Sequence, residues 1–165
     1  MKDELIILNS RERKHIRQAL TEQFGVSEIP DLIYFCLNKK EKVYVINKEV
    51  FELPIDHLRL NTFGLYFGMF MKDGFRLSIE GSQIIGPKAK QQIYTMSKRE
   101  RDDWLKGKDL ETKTDDFERL YMLMLFEKDF IGVGKAKNGK ILNYIPKSRT
   151  LTNIFSAEEN CVQCE

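Results

Sequence analysis

The chain has 165 residues, enough for one ample domain or two small ones. Its 42% apolar content excludes disorder throughout, and 27 basic against 25 acidic residues leave a net charge of +2 that by itself points to no partner class. The opening Met1-Lys2-Asp3-Glu4 is no signal peptide, and the longest uncharged apolar stretch, Thr62 to Met71, falls short of the ~20 residues of a membrane helix and is broken by two glycines, so a cytoplasmic protein without membrane contact is expected.

The first predicted element is a helix over 10–24. Ile16, Ala19, Leu20 and Phe24 recur at helical spacing and form one apolar stripe. Ser10 is the candidate N-cap and Gly25 the stop. Arg11, Arg13, Lys14 and Arg17 occupy the other face, which reads as a solvated helix surface. Leu32 to Leu37 and Val43 to Ile46 then read as strands joined by a polar loop. Leu65 to Met71 and Phe75 to Ile79 flank Asp73-Gly74, a pair suited to a tight hairpin turn, which would set Phe70 opposite Leu77 and Met71 opposite Arg76. Both faces of Leu65 to Met71 are apolar, as in a strand internal to its sheet.

Gly81 to Lys88, with Gly86-Pro87, is the best place to divide the chain. The division gives an N-terminal unit over 1–86, a second over 87–155 and a flexible tail over 156–165. Gln91 to Met96 reads as a strand. Ser97-Lys98-Arg99-Glu100 is a capping box that opens a short helix ending at Gly107, with Trp104 and Leu105 as its core anchors. Lys108 to Arg119 is polar and loop-like, Leu120 to Phe126 reads as a strand, and Phe130 to Ile145 as a hairpin. One long helix, one short helix and about nine strands make an α+β fold. Strands follow strands without helical crossovers, which argues against a Rossmann-type sheet.

The hairpin is the most informative segment. From Phe130 to Phe155 the chain carries Lys135, Lys137, Lys140, Lys147 and Arg149 and no acidic residue. Asn138-Gly139 is a strong hairpin turn, which sets Lys137 opposite Lys140 and Lys135 opposite Leu142. Alternation then puts the three lysines on one face, with Val133 and Tyr144 further along it. Like charges opposite each other repel unless a polyanion binds them. The alternative is that these lysines keep a hairpin tip soluble and block edge pairing. Lys147 and Arg149 favour a nucleic-acid surface, on which Tyr144 is a candidate for stacking on a base.

Phe130-Ile-Gly-Val-Gly-Lys-Ala-Lys-Asn-Gly-Lys-Ile-Leu-Asn-Tyr-Ile-Pro-Lys-Ser-Arg149 resembles the closing strands of a PUA domain. Trp104-Leu-Lys-Gly-Lys-Asp-Leu110 resembles its short helix and the following turn, and Leu65 to Gly81 resembles the end of the domain that precedes PUA in ribosome-biogenesis factors. The chain is similar to small archaeal proteins of pre-PUA plus PUA build and to the C-terminal region of Sun/Fmu-type rRNA cytosine methyltransferases. The likeness is good over about residues 60–150 and weaker before. It implies an N-terminal mixed α/β domain followed by a small PUA-like β pseudo-barrel that binds structured or single-stranded RNA beside its short helix. It makes Arg99, Arg101, Lys135, Lys137 and Lys140 candidate RNA contacts, although Asp102 and Asp103 on the same helix would repel phosphate if they faced it. The expected partner is rRNA or tRNA, with ribosome-assembly factors or an RNA methyltransferase as further partners. The alternative is an adaptor that recruits an RNA-modifying enzyme through its apolar N-terminal half.

Three signals of enzyme or metal chemistry fall away. Gly134-Lys-Ala-Lys-Asn-Gly139-Lys140 has the spacing of a phosphate-binding loop, but Ile141 stands where Ser or Thr would hold magnesium, and a strand follows where a helix should. No cysteine follows Pro or Thr, as the catalytic cysteine of the methyltransferases does, and no strand, glycine-rich turn and helix unit is present. Cys161-Val-Gln-Cys164 supplies two of the four ligands that a structural zinc prefers, and His15 and His57 lie far off. No catalytic residue, metal or cofactor is therefore expected.

Overall fold

The computed structural model describes residues 5–37, 41–53, 63–112 and 121–152. The tail with Cys161 and Cys164, and His57, lie outside the described residues.

The first half forms a five-stranded antiparallel sheet in sequential order: β1 (Leu5–Ile7), β2 (Ile33–Leu37), β3 (Lys42–Ile46), β4 (Leu65–Met71) and β5 (Gly74–Leu77). The helix α1 (Ser10–Phe24) crosses it and buries Ile16, Leu20 and Phe24 completely. Its cap is Asn9 rather than Ser10. The Asn9 side chain accepts from the backbone of Arg11 and Glu12, and the Glu12 carboxylate accepts from Asn9 N–H at 2.8 Å. Gly25 ends the helix in the left-handed region, at φ 67°. At the sheet edge, Gln23 of α1 completes β5, accepting from Phe75 N–H at 2.6 Å and donating to Phe75 C=O at 3.2 Å.

The β4–β5 turn closes one residue earlier than the sequence predicts. Phe70 faces Phe75 and Met71 faces Gly74, which leaves Lys72-Asp73 as the loop. Gly74, at φ 134°, a conformation that side chains resist, pairs with Met71 as the first residue of β5. The shift is even in register, so each side chain keeps its face.

The chain enters the second half through α2 (Ile79–Ile85), a helix not predicted from the sequence, and a 3₁₀ turn at Gly86–Lys88. Close approach explains its glycines. A Cβ at Gly81 would lie 2.1 Å from the Phe67 carbonyl oxygen, and one at Gly86 would lie 2.3 Å from the Phe130 ring. The fully buried Ser82 donates to Ile79 C=O and accepts from Gly132 N–H at 3.1 Å. Thus α2 is fixed to β4 on one side and to the second sheet on the other.

That second sheet runs β6 (Ile93–Thr95), β8 (Tyr121–Phe126), β9 (Asp129–Lys137), β10 (Lys140–Asn143) and β7 (Leu110–Glu111). β6 pairs parallel to β8, and the other pairings are antiparallel. The short β7 lies in the segment expected to be loop, because Leu110 anchors it in the core. The sheet curls into a half-barrel, the predicted pseudo-barrel of an α+β fold. The helix α3 (Lys98–Leu105) closes one face. Trp104 is fully buried with Met122, Met124, Ala136 and Ile141, and its indole N–H donates to Ile131 C=O at 3.0 Å. Ser97 and Glu100 form the predicted capping box. The opposite face, with Tyr121, Leu123, Phe130 and Val133, joins a single core with Ile16, Leu20, Phe67, Phe75 and Ile85 of the first half. Among the described residues no helix is long and apolar enough to cross a membrane.

Candidate nucleic-acid interface

The hairpin forms in the predicted register. Asn138 and Gly139 take φ of 52° and 70°, the double left-handed turn that this pair favours. Lys137 faces Lys140 at the exposed tip, and Lys135 faces Leu142. The strand β10 follows directly, so the glycine-lysine run is a β-ribbon and not a phosphate-binding loop.

Lys135 differs from its neighbours. It sits opposite Tyr121, with its ammonium 5.3 Å from that ring, and it forms an ion pair with Asp73 of the β4–β5 turn. Asp73 also accepts from Tyr121 O–H at 3.2 Å. Only 15% of the Lys135 side chain is exposed. Among the described residues Lys137 and Lys140 form no ion pair, although Glu111 of β7 stands opposite Lys140 in the register, whereas Lys135 is folded against the body of the protein.

Past the ribbon, the chain lines a cleft of about 520 Å³ between the two sheets. Lys42 of β3, Tyr66 of β4 and Arg76 of β5 line it from the first half. Tyr144 and Arg149 line it from the second, and Glu80 from α2. The Arg76 guanidinium lies 4.8 Å from the centre of the Tyr144 ring, and the Lys42 ammonium 5.6 Å from that of Tyr66. Burial raises the pKa of the Tyr66 hydroxyl, with Arg76 opposing, so Tyr66 stays neutral. Glu80 pairs with Arg149. Burial would raise the Glu80 carboxyl, but its hydrogen bonds, from its own backbone and from Arg149, hold it below the usual range. Three cations thus face one carboxylate, and that carboxylate is already engaged.

Lys147 is exposed on the 3₁₀ turn that carries Arg149. Arg99 and Arg101 lie elsewhere. They ride on α3, which packs against Met122 and Met124, whereas Tyr121 and Leu123 face the other way. Arg99 is exposed. Arg101 lies 4.5 Å over the Phe126 ring and is bonded to Asp102, so its charge is largely satisfied. Asp103 pairs with Lys108 at 2.6 Å. Both carboxylates that would repel phosphate are therefore matched by a neighbouring cation. His15 stacks on Phe70 at 4.5 Å as a packing residue.

The structure therefore sets Lys137 and Lys140 on one ribbon, with Tyr144, Lys147 and Arg149 just beyond it, and leaves Arg99 and Arg101 on another side. The sequence reading missed Lys42, Tyr66 and Arg76. The one signal available was Arg76, a cation set between Phe75 and Leu77 in an otherwise apolar strand.

The family model for the NIP7/UPF0113 pre-PUA domain matches residues 7–79, and that for the PUA domain of methyltransferase RsmF matches residues 91–151. No curated protein matches the chain.

Proposed function

We propose, for a chain that pairs a pre-PUA domain with a PUA domain, that it is a non-catalytic RNA-binding protein of ribosome biogenesis or of rRNA or tRNA modification. The observation that carries the reading is the basic ribbon, whose tip lysines Lys137 and Lys140 face each other, two ammonium groups against the single carboxylate of Glu111 on the far side of Lys140. Holding two ammonium groups together costs a few tenths of a kcal/mol or more. A phosphate chain relieves that cost and releases counterions as it binds. Tyr144 directly follows the end of β10, at most about 13 Å of extended chain from Lys140 and within reach of the same RNA strand. The matched pre-PUA and PUA families support the nucleic-acid reading over simple solubility of the tip.

The test is Lys137→Glu with Lys140→Glu in the full chain. Both side chains are exposed, so the fold should persist, with Trp104 fluorescence unchanged. Binding of unpaired RNA should fall at least tenfold in a mobility-shift assay. Normal binding by this variant would remove the hairpin from the interface.

A second reading is an adaptor that recruits an RNA-modifying enzyme. It draws on a groove of about 490 Å³ in which Glu12, His15 and Glu41 border the apolar Ile6, Leu8, Val43 and Phe70. Protein partners that survive nuclease treatment in a pull-down would favour it over direct RNA contact.

A further inference from the structure

We infer that the cleft between the two sheets is a pocket for one unpaired nucleotide of an RNA strand, its base stacked on Tyr144 and its phosphate held by Lys42. The inference rests on the RNA-binding reading and extends it, because it makes the first half part of the RNA site.

Size, charge and the aromatic wall support this occupant. The volume, about 520 Å³, lies in the range of pockets that enclose a small ligand and is too small for a helical duplex. Of three cations and one carboxylate, Arg149 and Glu80 pair with each other, and the two remaining positive charges, Lys42 and Arg76, suit a phosphodiester. The aromatic groups are tyrosines, and Tyr144 as a residue is 37% exposed, so it is accessible to a base. Arg76 lies against that ring at 4.8 Å and orients it, as a guanidinium does on an aromatic face.

Neither half supplies this set alone. Tyr144 and Arg149 come from the second sheet's end, while Lys42, Tyr66 and Arg76 come from the first sheet. The core shared by the two sheets holds the walls at a fixed separation, so the pocket is built before RNA arrives.

The probes are a 12-nucleotide oligoadenylate with a central 2-aminopurine, a duplex RNA of equal length, and AMP. Single-stranded RNA should bind more tightly than duplex and quench the 2-aminopurine. Tyr144→Ala should weaken single-strand binding about tenfold and abolish the quenching without altering the salt slope, and Tyr144→Phe should restore both. Lys42→Ala, an exposed change on the opposite wall, should lower the salt slope by about 0.7 and keeps the test valid if Tyr144→Ala is unstable. Wild-type binding that Tyr144→Ala and Lys42→Ala both leave unchanged, but that the Lys137 and Lys140 double variant abolishes, overturns the pocket and spares the RNA reading. AMP binding as tightly as the oligomer overturns RNA as the occupant. No RNA binding by the wild type overturns both.

Discussion

Lys135 meets a carboxylate 62 residues away in the chain. Asp73 reaches it because the β4–β5 turn closes at Lys72-Asp73, and this pair competes with any phosphate for the ammonium. Asp73→Asn should therefore tighten RNA binding several-fold and steepen the salt slope by up to about 0.7, one extra contact. A filter-binding titration over a range of KCl concentrations checks this, and weaker binding would show that Asp73 instead positions Lys135 for RNA. The sequence disclosed the two tip lysines because Asn138-Gly139 fixes their register locally. It did not disclose the Lys135 partner, or the meeting of Arg76 with Tyr144, because those contacts depend on how two sheets face each other. Local periodicity carries no such information.

Helix caps and close approaches decide the elements. The box at the start of α1 is Asn9-x-x-Glu12, one residue before the Ser10 expected as the cap, because only that spacing gives Glu12 a return bond to the cap N–H. The helix α2 escaped notice because Gly81 and Gly86 read as loop residues, whereas they are glycine so that β4 and Phe130 can pack close. Gly81→Ala should cost about 1–3 kcal/mol or more in urea denaturation, since the added methyl meets a backbone oxygen that cannot move freely. Ser97→Ala should cost about 1 kcal/mol through loss of the α3 cap. Glu100 in the same box shows a definite pH sign. Burial would raise its carboxyl, but bonds from Ser97 and Tyr94 hold it below the usual range. Its folded pKa is depressed, so its stabilisation is present above the unfolded value and is lost as pH falls through the folded one. Glu100→Gln should flatten the loss of stability in that acidic window.

The two sheets share one core at the scale of the molecule, so Phe130 and Val133 of the second half are buried with Ile85 and Leu77 of the first. A division at residues 86 and 87 remains a reading of the sequence, and these contacts make the separate pieces poor candidates for folding alone. Unfolding in urea should therefore be one transition, coincident by Trp104 fluorescence and by far-ultraviolet circular dichroism. The same shared core fixes the cleft beside the basic ribbon, and the account of function depends on that juxtaposition. Ultraviolet crosslinking of the full chain to single-stranded RNA, with the linked peptides mapped by mass spectrometry, tests it most directly. Crosslinks are expected at Tyr144 or Tyr66 and along the ribbon from Lys137 to Lys140. Crosslinks confined to α1 or to the exposed face of α3 would contradict it.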